Sequence, residues 1–216
     1  MSYPTITLSN ETAKGVFAAS PDGVYAAISE KYPTYLFDVI FDNTVKVIDD
    51  SIFAGFHTLR KVTFGNSVET IGFNAFGNCT GLQSVEFPDS LKTIGEAAFT
   101  NCTGLTSVTF GNSVEEIKIS AFDSCIGLRG VEFPDSLKKI GKTAFANCTG
   151  LTSVTFGNSV EEIGDHAFLK CKGLDIIDFG GSTPVINRYR NSELFKFRTP
   201  PPSPPSSPRM QFCLRI

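Results

Sequence analysis

The stretch Ala98-Phe99-Thr100-Asn101-Cys102-Thr103-Gly104-Leu105 decides the fold, because it recurs along the chain. Phe53, Phe76, Phe99, Phe122, Phe145 and Phe168 stand 23 residues apart without slippage. Cys79, Cys102, Cys125, Cys148 and Cys171 keep the same period, and so do Leu59, Leu82, Leu105, Leu128, Leu151 and Leu174. A fixed period of roughly 20 to 50 residues marks a stack of coils, each contacting only its neighbours.

Outward from that stretch, each coil divides into pieces. In Leu82 through Phe87 the apolar Val85 and Phe87 alternate with Ser84 and Glu86, which is the period of a strand. Pro88-Asp89-Ser90 follows, or Gly111-Asn112-Ser113 in alternate coils, and both are turn chemistry. Leu91 through Ile94 reads as a second short extended run ended by Gly95. Ala98, Phe99 and Cys102 then fall at i, i+1 and i+4, the spacing of a short helical turn closed by Gly104. The fold class read from this is an α/β repeat solenoid, rich in β-structure, with a parallel sheet on one face.

The true unit is a pair of coils. Ala98 through Ile117 and Ala144 through Ile163 differ only in Thr100 against Ala146, which duplication of a 46-residue block explains. Charge follows the same pairing: Lys46, Glu69, Lys92, Glu115, Lys138 and Glu161 occupy one coil position with alternating sign. In parallel, in-register coils they become neighbours about 4.8 Å apart, and a slip by one coil would reverse every sign. The ladder is read as setting register.

The organisation is a capping segment at 1–35, a solenoid at 36–186 with about six full coils and a partial one, and a tail at 187–216. Ser20-Pro21-Asp22 is a helix start with a capping hydroxyl and a proline at the first helical position. A solenoid exposes the apolar side of its first coil, and this segment is expected to cover it. The tail holds six Lys/Arg against Glu193 alone, a net of +5, which leaves the rest with 13 against 21, a net of −8. Its Thr199-to-Pro208 stretch is expected to be disordered and of polyproline type. Arg198, Pro201 and Pro204 match a basic ligand pattern for SH3-type domains.

Composition excludes several functions. An acidic body lacks the basic footprint that nucleic acid requires. No stretch approaches the roughly 18 apolar residues of a membrane span, and Met1 to Thr5 has no signal-peptide character. Five of the six cysteines share one coil position and are expected to form a column of free, buried thiols; neighbouring sulfurs would lie near bonding range. None is clustered with metal-ligand spacing. No phosphate-cradling loop or nucleophile elbow is present, and His57 and His166 recur in no other coil. Glu86 and Glu132 lie two coils apart, roughly 10 Å, at the edge of an inverting glycosidase separation, but nothing suggests the closed pocket such a pair needs. Asn78, Asn101 and Asn147 fit N-x-T and are expected to hydrogen-bond the coil backbone.

The unit Ile-Gly-x-x-Ala-Phe-x-x-Cys-x-x-Leu-x-x-Val-x-Phe-Pro-x-Ser, carried by Ile94 through Ser113 with Gly111 at the proline position, resembles the BspA-like (treponemal-type) leucine-rich repeat. The resemblance covers about residues 36–186. It implies a right-handed leucine-rich coil stack, and adhesion or protein binding at the cell surface or after secretion, with no catalytic motif. The expected function is thus a non-enzymatic, cofactor-free, monomeric interaction module with a protein or surface-glycoprotein partner. The candidate contacts are the outward strand residues Ser84, Glu86, Ser107, Thr109, Glu132, Ser153, Thr155 and Asp178. The alternative is an intracellular scaffold whose proline-rich tail recruits a signalling domain.

Overall fold

The computed structural model describes residues 3–9, 36–182, 184–186, 196–198 and 211–215. The helix start expected at Ser20 and the proline-rich stretch 199–210 lie outside them. The chain enters through β1 (Thr5–Leu8), and the coils then supply β2 (Phe37–Phe41), β3 (Val47–Ile48), β4 (Leu59–Thr63), β5 (Thr70–Ile71), β6 (Ser84–Glu86) and β7 (Thr93–Ile94). Next come β8 (Ser107–Thr109), β9 (Glu116–Ile117), β10 (Gly130–Glu132), β11 (Lys139–Ile140), β12 (Ser153–Thr155), β13 (Glu162–Ile163), β14 (Ile176–Asp178) and β15 (Val185–Ile186). Finally β16 (Lys196–Arg198) and β17 (Gln211–Arg215) lie within the tail.

Seven coils therefore begin with β2, β4, β6, β8, β10, β12 and β14. Their second strands form one continuous parallel sheet from β3 to β15 in which every pair is in register, Ile48 on Ile71 on Ile94 and onward. The first strands form the other face. A 23-residue period with parallel strands makes this a β-solenoid.

The core is a set of columns. Phe53, Phe76, Phe99, Phe122 and Phe145 are completely buried, and successive rings stack at 5.1 to 5.7 Å. A second column of Phe41, Phe64, Phe87, Phe110, Phe133, Phe156 and Phe179 meets it edge-on, as Phe87 does Phe99 at 5.6 Å. Such offset and T-shaped contacts suit the aromatic quadrupole. The leucine, valine, isoleucine and cysteine positions of the repeat fill the remaining volume.

The segment expected to form a helical turn does its packing without a helix. Ala98, Phe99 and Cys102 are buried as their spacing implies. However, Ala97 and Asn101 both have positive φ (53° and 57°), as do Thr143 and Asn147, Asn74 and Asn78, and Ser120 and Ser124. Two left-handed residues four apart break any helix. Their amides instead bond across coils: the Ala97 N–H donates to Ile119 O (2.9 Å) and the Asn101 N–H to Asp123 O (2.8 Å). Asparagine suits the second of these positions because it tolerates this conformation. Its side chain turns to the neighbouring coil's side chains, not to backbone: Asn101 Nδ2 donates to Asn78 Oδ1 (3.2 Å) and Asn147 Nδ2 to Asp123 Oδ1 (2.8 Å).

Both ends carry additional strands. β1 pairs parallel with β2, buries Leu8 and so covers the first coil's open edge. There Arg60 pairs with Asp38 and lies 4.4 Å over the Tyr3 ring. At the other end, within the tail expected to be disordered, β17 pairs antiparallel with β14 and with β16. An edge left open would invite another chain, and these strands occupy it.

The charge ladder forms as pairs. Lys92 reaches Glu69 (3.1 Å) and Lys138 reaches Glu115 (2.8 Å), each one coil back. The hydrogen bond and charge of Lys92 hold the Glu69 carboxyl below its usual range, with a smaller pull from Lys46 on the far side. Glu115 likewise raises Lys138, with Glu161 adding from the other side. These pairs lie at the surface, so they contribute little to stability.

Candidate interaction face

The eight outward residues fall into two straight columns set by the ladder. Ser84 pairs with Ser107, and Gly130 with Ser153 and then Ile176. Glu86 pairs with Thr109, and Glu132 with Thr155 and then Asp178. Ser84, Glu86, Ser107, Thr109, Glu132 and Thr155 are exposed, whereas Ser153 and Asp178 are half-buried. Asp178 is occupied locally, since its Oδ1 accepts the Gly180 N–H (2.9 Å). Ile176 ends the serine column as an exposed aliphatic (47%).

This face is interrupted where the other sheet is continuous. Its strands group as β1-β2-β4, then β6-β8, then β10-β12-β14-β17-β16. No ladder joins β4 to β6 or β8 to β10. At the closed junctions the Phe87 N–H donates to Thr109 O (2.9 Å) and the Phe133 N–H to Thr155 O (2.8 Å). The Thr106 and Thr152 hydroxyls add bonds to Gln83 O (3.1 Å) and Arg129 O (2.9 Å). At the open junctions the position of Thr106 holds Gln83 or Arg129; the closed β2–β4 and β12–β14 junctions have Arg60 and Asp175 there, so the hydroxyl adds to closure without deciding it.

The cause lies in the first turn residue after the strand, which is Gly65, Pro88, Gly111, Pro134, Gly157 and Gly180 in successive coils. Its α-carbon packs on the preceding coil's backbone. A Cβ on Gly111 would collide with the Pro88 carbonyl, and one on Gly157 would sit 2.5 Å from Pro134 O. Glycine fits there and the junction closes. Proline brings a ring to the same place and fixes φ, and β6 and β10 make no ladder with the strands before them, although the rings beneath stay in contact, Phe64 to Phe87 at 5.8 Å and Phe110 to Phe133 at 5.5 Å. Coil seven, with Gly180, closes on coil six. The opening stops beyond the turn, where the Ser90 and Ser136 hydroxyls reach back to Val68 O (2.7 Å) and Val114 O (2.8 Å).

Each opening leaves a groove. The first, of about 290 Å³, lies over Thr63, Phe64 and Asn66 on one side and Glu86 and Pro88 on the other. The second, of about 460 Å³, has Thr109, Phe110 and Asn112 facing Glu132 and Pro134. Phe110 is half-buried at the second groove, while Phe64 at the first is buried, as are Phe87, Phe133 and Phe156. Sequence reading found the glutamates but missed the grooves. Its available signal was the alternation of glycine and proline at the turn.

The cysteines face inward. Cys79, Cys102, Cys125, Cys148 and Cys171 are free and buried, and each Sγ donates to a phenylalanine carbonyl of the preceding coil at 3.0 to 3.2 Å. Burial pushes the Cys102 thiol up to about 12 and also raises Cys79 and Cys125. They are therefore protonated and unreactive at neutral pH. His57 is exposed and its Nδ1 lies 3.2 Å from Thr80 Oγ1. His166 occupies the left-handed turn position, with φ of 59°. The two stand in different coils of the turn side, away from the outward strands. Among the described residues no helix is long and apolar enough to cross a membrane.

A parallel β-solenoid with a phenylalanine core and a regular polar strand face defines a leucine-rich-repeat solenoid. The BspA type leucine rich repeat region, in six copies, matches residues 31–149 and 115–197. The chain belongs to that family. A leucine-rich-repeat protein of T. pallidum is 32% identical, with 68% of this chain and 70% of that one covered and a TM-score of 0.63. The pneumococcal vaccine antigen PcpA aligns at 20% identity over 70% of this chain and 52% of its own, TM-score 0.48. A leucine-rich cell surface protein of Faecalibacterium prausnitzii aligns at 20% over 69% and 62%, TM-score 0.42. No curated protein matches the chain at a significant level.

Proposed function

We propose that the chain is a non-enzymatic interaction module that holds a protein partner on its outward strand face. The observation that carries this is the pair of polar columns, Ser84-Ser107 and Glu86-Thr109 with their continuations, held in register on a fully packed core. Rigid, regularly spaced donors and acceptors lose little entropy on binding, which favours recognition. Membership of the leucine-rich-repeat family supports a binding role. In this reading the module works at the cell surface or outside the cell, an assignment supported by the family resemblance alone.

Charge reversal tests the face. Glu86→Lys and Glu132→Lys together are expected to weaken capture of the partner at least tenfold, while the denaturation midpoint stays within the range of ordinary surface substitutions. Asp178 is left intact in this variant because its carboxylate also holds Gly180. Undiminished capture by the folded double variant would move the site off this face.

A further inference from the structure

We propose that the two openings of the strand face are paired subsites for one polyproline-II segment of a partner protein, with a basic side chain at every third residue. The inference rests on the strand-face reading and makes its occupant specific. The two grooves are the same site repeated 46 residues apart: Phe64, Asn66 and Glu86 line the first, and Phe110, Asn112 and Glu132 the second. In each, the space lies at a junction where the strands are unpaired and Pro88 or Pro134 forms one wall.

Spacing selects the ligand conformation. Coils two apart are separated by roughly 10 Å, twice the inter-strand distance. A polyproline-II helix repeats every three residues, about 9.3 Å, and so presents the same face at each groove. An extended β-strand advances a similar distance in three residues, but alternation then points the side chains to opposite faces. A β-strand peptide could not address both grooves alike.

The chemistry of the lining agrees. Polyproline-II makes no internal hydrogen bonds, so its carbonyls are free to accept from the exposed amides of Asn66 and Asn112. Proline rings pack on aromatic-lined grooves, and the second groove supplies such an edge in the half-buried Phe110, whereas Phe64 beneath the first is buried. Glu86 and Glu132 are exposed carboxylates that complement a basic side chain one turn apart. The first groove also includes Lys61, whose counterpart one block on is the uncharged Ser107. Glu132 therefore faces a basic ligand with less opposing charge, and the second groove is the stronger subsite.

The test is fluorescence anisotropy of a labelled (Pro-Pro-Arg)4 peptide on the full chain. It is expected to bind, with (Pro-Pro-Glu)4 and a peptide carrying arginine at every fourth residue at least tenfold weaker. Glu86→Gln with Glu132→Gln should reduce binding at least tenfold, and Glu132→Gln alone more than Glu86→Gln alone. Pro134→Gly gives the fifth coil the residue that closes junctions, and should weaken the peptide while the denaturation midpoint holds or rises. Binding that is unchanged in Pro134→Gly, or equal for three- and four-residue spacing, would overturn the proposal. Tighter binding of a peptide copying residues 196–210 would hand the grooves to a second copy of this chain and likewise overturn it. If no peptide binds but reversal of Glu86 and Glu132 still weakens partner capture, the face stands and this occupant is refuted.

Discussion

Replacing Phe99 with alanine is expected to lower the free energy of unfolding by about 3–5 kcal/mol, the usual cost of emptying a buried aromatic site. Phe99 is fully buried between Phe76 and Phe122, with ring centroids at 5.1 and 5.3 Å and planes within 12° and 4° of parallel. Phe87 closes the side at 5.6 Å. The site cannot collapse easily, because both flanking rings are fixed by their own neighbours in the column. Cooperativity between coils makes the loss visible globally, since the stack is only as strong as its interfaces. Chemical denaturation followed by circular dichroism reads the effect directly. A midpoint unchanged from the parent would contradict the stacked column.

Gly104→Ala is the second large effect, an expected loss of about 1–3 kcal/mol from overpacking. Gly104 returns the chain from the turn segment to the strand, and its α-carbon rests on the coil before. A Cβ there would collide with the Thr80 carbonyl oxygen and approach the Leu82 carbonyl at 3.2 Å. Both obstacles are backbone, so no rotamer change relieves them. Only separation of the two coils does, and that weakens the neighbouring inter-coil hydrogen bond from Thr106 N–H to Gln83 O (2.8 Å) and the packing of Leu105. Thermal unfolding of the alanine variant measures the cost. Stability equal to or above the parent's would mean that the coils are not packed at this distance.

Most of the architecture is legible in the sequence because a repeat reports the same packing decision several times. The phenylalanine, cysteine, leucine and valine positions are the buried ones, and the polar partners of Val85, Val108, Val131 and Val154 point outward. The apparent helical turn shows the limit of spacing arguments. Ala98, Phe99 and Cys102 lie on one side of a helix or of a chain of turns alike, and only the positive φ at Ala97 and Asn101 decides between them. Asparagine hints at the second of those positions, but alanine gives no hint at the first. β1 was hidden for another reason. Thr5 to Leu8 has no counterpart in the repeat, and its place beside β2 is set by an open edge that no local pattern describes.

The grooves are a case of visible letters with an invisible meaning. The alternation of Gly65, Pro88, Gly111, Pro134 and Gly157 is plain in the sequence and reads simply as two kinds of turn. Its consequence depends on how closely one coil approaches the next, a distance that appears only when the coils are stacked. Threonine at 106 and 152 reinforces two of the closed junctions through hydroxyls that bond the preceding coil. The closed β2–β4 and β12–β14 junctions have Arg60 and Asp175 at that position, so the turn residue alone tracks every junction. A uniform solenoid offers a partner no landmark, whereas this alternation divides the strand face into discrete, repeated sites.

That division is the central claim, and amide hydrogen exchange measures it residue by residue. The N–H groups of Phe87, Phe133 and Phe156 donate across closed junctions and are expected to exchange slowly. Those of Phe64 and Phe110 stand at the open junctions, where the corresponding bond is not made, and are expected to exchange faster. Protection should therefore alternate along the phenylalanine column from Phe64 through Phe133, and Phe156 should continue it as slow because Gly180 closes the last junction. Equal protection of Phe64, Phe87, Phe110 and Phe133 would contradict the account.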